Sequence, residues 1–226
     1  MSLLKTNSVQ IGQSATATQN FTLAVPSSPD GTIKLARGNS GATTADIFTV
    51  NASGVITGAT ISNSVINGGT VTLGTSVSVS GTSVDFTGIP SWAKRITVSL
   101  SGVSTSGTSI IELRLGSSSG VEATGYIGCC FFSQASSVGN LNLSSGFMLD
   151  GTVAATNSRS GTAIFSLITG NLWAGIGNFG CSDIARFNSF AGSKTVSGGT
   201  LDRISLTTQG GANTFDAGAV NISYEG

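Results

Sequence analysis

The sequence predicts an all-β chain, and three observations carry that expectation. Val, Ile, Thr and Phe cluster between Gly, Ser and Asn, which is strand and turn chemistry. Large apolar residues recur at every second position, the period of a strand with one buried face. Glu, Lys, Gln and Leu never gather into a helical run, and 32 Gly in 226 residues would interrupt one.

Residues 1–50 carry short alternating runs. Val9 and Ile11 form one; Phe21, Leu23 and Val25 the next; Ile33 and Leu35 follow, then Ile47-Phe48-Thr49-Val50. Turn signals separate them at Pro26-Ser27-Ser28-Pro29-Asp30-Gly31 and at Arg37-Gly38-Asn39-Ser40-Gly41. These strands are short of core volume: up to Pro90 the only aromatics are Phe21, Phe48 and Phe86. Residues 1–50 are therefore expected to be an anchor that docks onto another protein.

Residues 51–86 predict a thin stalk. Val55, Ile61, Val65, Val71, Leu73, Val77 and Val79 all fall on odd numbers, and Val55-Ile56-Thr57-Gly58 is echoed by Val65-Ile66-Asn67-Gly68. One narrow apolar stripe does not offset an ordering cost of about 1–2 kcal/mol per residue. Such a segment needs neighbours. Three identical chains wound about one axis, with the stripe inward, would pair the free strand edges and bury the stripe. The expectation is a homotrimer with an intertwined β stalk.

Residues 87–226 predict an antiparallel β-sandwich head, jelly-roll-like. Thr87-Gly88-Ile89-Pro90 marks the junction. Ile96, Val98 and Leu100 share a strand face, and Ile111, Leu113 and Leu115 another. Tyr126 to Phe132 is a continuous apolar run, expected to be a central strand covered on both faces. Residues 162–169 and 172–179 flank Gly170-Asn171, a two-residue hairpin signal with Gly first. Residues 201–208 and 217–224 close the domain.

Composition removes several function classes. There is no His, hence no Ser-His-Asp or Cys-His pair and no imidazole metal ligand. Three Cys cannot supply a four-thiolate zinc site. Ten basic and ten acidic residues give zero net charge, which argues against nucleic acid as the main partner. No cofactor or metal is expected. Met1 to Asn7 lacks the apolar run of a secretory signal, and residues 163–180 read as buried strands, so no membrane insertion is expected. Cys129, Cys130 and Cys181 read as reduced thiols of a chain made in a cytoplasm.

Two runs carry a family resemblance. Phe86-Thr87-Gly88-Ile89-Pro90-Ser91-Trp92-Ala93-Lys94-Arg95-Ile96-Thr97-Val98, followed by Ser101 to Ser109, resembles the opening of a C-terminal domain of tailed-bacteriophage fibre proteins. Asp202-Arg203-Ile204 and the run from Thr214-Phe215-Asp216-Ala217-Gly218 to Asn221-Ile222-Ser223-Tyr224-Glu225-Gly226 resemble the end of that domain. Asp30 to Asn39 is similar, less specifically, to other segments of phage fibres. The resemblance implies a homotrimeric virion fibre whose distal head binds a host surface glycan or protein. The alternative it leaves open is a capsid head-fibre or decoration protein held through residues 1–50, with no essential receptor role.

Recognition concentrates in loops on a rigid scaffold. The expected receptor-contact residues are Ser117, Ser118, Ser119, Asn157, Arg159, Arg186 and Asn188. Trp92, Trp173, Tyr126 and Phe190 are the aromatics that a sugar face would use if exposed. The acidic residues are scattered, so a glycosidase pair would have to be assembled by folding. The chain is expected not to be an enzyme. Asp202 beside Arg203 reads as a salt bridge, Asp216 as an Asx-turn, and the Gly-Gly pairs as turns.

Overall fold

The computed structural model describes residues 8–16, 19–24, 32–39, 42–50, 52–54, 56–57, 71–135, 137–151, 154–155 and 157–226. These residues are antiparallel strand and turn, with a 3-10 turn at Ser182–Ile184. The chain divides into two compact units, Met1–Asn67 and Gly68–Gly226.

The first unit is one sheet in chain order: β1 (Ser8–Ile11), β2 (Phe21–Ala24), β3 (Ile33–Asn39), β4 (Ala42–Val50) and β5 (Ile56–Thr57). Register places Val9 opposite Leu23, Leu23 opposite Leu35, and Leu35 opposite Phe48, an apolar row across four strands. Val9 and Leu23 are 42% and 43% exposed, while Thr22 and Ala36 on the alternate row are buried. The apolar face is thus the open one.

The second unit continues the series: β6 (Thr72–Leu73), β7 (Val77–Ser78), β8 (Ser83–Thr87), β9 (Arg95–Thr105), β10 (Ile111–Ser117), β11 (Gly120–Val121), β12 (Tyr126–Gln134), β13 (Ser137–Asn142), β14 (Phe147–Met148), β15 (Arg159–Thr169), β16 (Leu172–Cys181), β17 (Arg186–Thr195), β18 (Arg203–Thr208) and β19 (Phe215–Glu225). A nine-stranded sheet runs β13-β12-β17-β16-β15-β9-β19-β6, with β7 also on β19. A five-stranded sheet runs β11-β10-β18-β8, with β14 on β10. Ile96, Val98, Phe165, Phe179 and Phe190 of the large sheet share one core with Ile111, Leu113, Leu115, Ile204 and Leu206 of the small one. This is an all-β, sandwich-like unit. Phe147 lies edge-on to Tyr126 at 5.2 Å between centroids and also packs on Phe165 and Phe190. Gly170, at φ 53°, turns the β15–β16 hairpin as its position predicts.

Two expectations are corrected here. Residues 71–86 are not a separate stalk: β6 and β7 add to β19, and β8 pairs with β18. The edge of β19 satisfies their backbone groups within the same chain. Val79 belongs to the unit's own core, 6% exposed, with its N–H donating to Gly218 O at 3.0 Å. It therefore cannot line an axis. Val71, Leu73 and Val77 are exposed, and Val55, Ile61 and Val65 lie outside the described residues. Second, β12 is not covered on both faces. Tyr126 and Cys130 point into the core, but Ile127 and Phe131 are 72% and 44% exposed.

Candidate functional site

The chain joins the large sheet at its Arg95–Glu225 end, where Thr72 pairs with Tyr224. The opposite end carries the β12–β13 turn, the β16–β17 turn and, among the described residues, Asp150, Gly151, Asn157 and Ser158. Register holds the first two side by side, since Gln134 pairs with Arg186 and Arg186 with Cys181. Each turn contains a residue in the left-handed region, Ala135 and Ala185, both at φ 47°. A side chain there costs roughly 1–2 kcal/mol, so surrounding contacts must hold both turns in shape.

A polar cluster, buried apart from Asp183, lies at this end. Arg159 and Asp150, both fully buried, form an ion pair through Nε and Oδ2. Arg159 Nη1 also donates to Asn157 O at 2.6 Å, and Asn157 Oδ1 accepts from the Ala154 N–H at 2.9 Å. Arg186 Nε donates to Asn188 Oδ1 at 3.0 Å, and its guanidinium lies 4.0 Å from the Phe132 ring centroid. Asp183 accepts from the backbone N–H and the hydroxyl of Ser158 at 2.7 and 2.9 Å. Those two bonds hold its carboxyl below the ordinary range. Burial drives the Asp150 carboxyl upward, against the pull of Arg159 and Arg186. A shallow, open pocket of about 420 Å3 lies beside the cluster, lined by Ser158, Ser160, Gly180, Cys181, Ala185, Arg186 and the half-exposed Phe187. The Ser158 and Ser160 hydroxyls beside the Phe187 ring suit a neutral polar ligand with an apolar face, such as a sugar.

The seven expected contact residues are thus relocated. Asn157, Arg159, Arg186 and Asn188 do come together, but all are buried, and the last three are strand residues facing inward. They shape loops rather than touch a ligand. Ser117 is buried at the end of β10; Ser118 and Ser119 form an exposed turn, where Ser118 O accepts from Arg203 at 3.2 Å. Phe187, on the cavity rim, was hidden in the run read as a loop. Of the aromatics, Trp173, Tyr126 and Phe190 are core, and Trp92 is 48% exposed.

The carboxylates of the second unit have structural partners. Glu112, fully buried, receives Arg114 at 2.5 Å and Ser145 at 2.7 Å. Glu122 pairs with Lys194 and accepts the N–H groups of Ser197 and Gly198 at 2.8 and 2.9 Å. Asp202 meets Arg203 at 3.1 Å, and Arg95 meets Glu225 at 3.5 Å. Asp216 is not an Asx-turn: it accepts the Ser104 hydroxyl across β9 and β19. Among the described residues, no group of three or more Cys, Asp or Glu could hold a metal. Cys129 is exposed, whereas Cys130 and Cys181 are buried, and burial raises both thiols above their ordinary value. Comparison with protein families, with curated proteins and with solved structures finds no match to this chain.

Proposed function

We propose that this chain is a homotrimeric virion fibre protein of a tailed bacteriophage, and that its C-terminal head contacts the host cell surface. The observation that carries this reading is the pairing of its two signature runs. Residues 95–105 form β9 and residues 215–225 form β19, and they pair from Arg95↔Glu225 to Thr105↔Phe215. Runs far apart in sequence that resemble one family are thus neighbours in one sheet, as the frame of a shared head domain would be. The end remote from β6 would supply the contact surface: the turns beside the buried Arg159–Asp150 pair and a shallow pocket carrying the Ser158 and Ser160 hydroxyls and the Phe187 ring.

The experiment is binding of the labelled full chain to the bacterium on which the phage grows, with Phe187→Ala as the comparison. Retained fold with clearly weaker cell binding supports receptor contact at this end. Equal binding by both chains moves the contact elsewhere, and no binding by either favours the capsid decoration reading. The open apolar row of the first unit, Val9 to Phe48, serves docking to the particle in both readings. Immunogold labelling of particles against residues 91–226 separates them: label at the tail tip supports attachment, and label over the capsid supports decoration.

A further inference from the structure

We propose that the outer face of the nine-stranded sheet is a contact surface between copies of this chain. The inference rests on the oligomer in the reading above and says which surface builds it. Strands β12, β13, β15, β16 and β17 contain three charged residues: Arg159, Arg186 and Lys194. All three face inward, at 0%, 6% and 4% exposure. The outward positions of these five strands are therefore wholly uncharged. A sheet face that meets water normally has the opposite arrangement, polar and charged outside.

Large apolar side chains occupy that outer face. Ile127, Phe131, Val138 and Ile176 are exposed. Register makes the patch continuous: Cys129 pairs with Ala191, and Ala191 with Ile176, while Phe131 stands two residues from Cys129 on the same face. The charged pair Arg95–Glu225 sits at one end, where a rim belongs, and Phe187, which shares this face, sits at the other end, beside the pocket and outside the contact.

A second copy is the occupant that fits. The face offers no charge to a charged partner, and three copies can turn such uncharged faces, with their exposed Ile127, Phe131 and Ile176, toward one common axis. Its size is also of the right order. Those five strands, about 4.8 Å apart and about nine residues long at about 3.4 Å per residue, span about 730 Å2. A stable interface needs about 800 Å2 from each partner.

Cys129 makes the test direct, because it lies within this face and is the one exposed thiol of the three. The full chain is treated with iodoacetamide under native conditions. Labelled sites are assigned by mass spectrometry, and mass is measured by light scattering on the same sample. The expected result is an oligomer whose Cys129 alkylates about tenfold or more slowly than an exposed thiol. Phe131→Lys and Ile176→Lys should yield folded chains of lower mass with a fast Cys129. Should either variant fail to fold, Cys129 protection in the native chain decides alone. An oligomer with fast Cys129 overturns this face and leaves the oligomer standing. A monomer of 22.5 kDa overturns both.

Discussion

Arg159→Met should be among the most damaging single substitutions in the head. Arg159 is fully buried, and its guanidinium pairs with an Asp150 that is equally buried. Removing one partner of such a pair typically costs about 3–5 kcal/mol, because the other charge is left without its counterion. For a chain of this size each kcal/mol lowers the melting temperature by about 2–4 °C, so Arg159→Met should lose about 6–20 °C. The double variant Asp150→Asn/Arg159→Met should recover much of that loss. The native network is incompletely satisfied: among the described residues Asp150 Oδ1 and Arg159 Nη2 have no hydrogen-bond partner. A partly satisfied buried network gives little advantage over an apolar replacement of similar volume. The assay is denaturant unfolding of wild type, both single variants and the double variant at one protein concentration, since oligomer stability depends on concentration. A loss below about 1 kcal/mol for Arg159→Met, or a double variant as damaged as the sum of its singles, would refute the reasoning.

Two further outcomes follow from packing and titration. Gly177→Ala should destabilise by about 1–3 kcal/mol through overpacking. An added Cβ would stand 2.8 Å from Phe179 Cε2 and closer still to the Phe190 ring, which Phe147 pins from another side; an unchanged melting temperature would show that these rings can move. Acid should unfold the head through Glu122. Burial pushes its carboxyl up, but the Lys194 ammonium and the N–H groups of Gly198 and Ser197 outweigh burial and hold it below its ordinary 4.5. A depressed carboxylate contributes stability that is complete above the unfolded value and is lost as pH falls through the folded one. Melting temperature should therefore decline below about pH 4.5, and Glu122→Gln should lower the neutral plateau and flatten that decline. Identical acid limbs would place the titrating group elsewhere.

Where strand faces follow a simple rule, the sequence was legible. Ile96, Val98 and Leu100 alternate with polar residues, and all three are buried in β9. The Gly170-Asn171 hairpin was legible because a two-residue turn needs a left-handed first residue. Strand β17 was not. Arg186, Asn188 and Lys194 look like loop chemistry, yet they are the inward-facing positions around Phe190. Local pattern assumes that charge faces water, and here long-range pairing reverses the assumption: Lys194 meets Glu122 from another strand connection, and Arg186 stacks on Phe132. Strand β12 was misread for the related reason. Its continuous apolar run implied two covered faces, whereas one chain covers only the face of Tyr126 and Cys130. Residues 71–86 were legible as strand but not in partner, because nothing local says that the free edge of β19 will receive them.

The reversal in β12 and β17 bears on how few charges this chain has and where it uses them. Three cations of the large sheet are spent inside, on Asp150, on Glu122 and on the ring of Phe132. Buried ion pairs are poor sources of net stability, since desolvation offsets most of the attraction. Their directional bonds fix geometry instead. Arg159–Asp150 and Arg186–Phe132 lie at the end remote from β6, where Ala135 and Ala185 hold conformations unfavourable for an L residue, and Lys194–Glu122 lies at the other end. The cost of that placement is an outer sheet face without charge and an open apolar row in the first unit, Val9 to Phe48. A solitary chain with two such faces would associate without specificity. The proposed self-association across the sheet face would remove one of them, and the proposed docking of the first unit would remove the other.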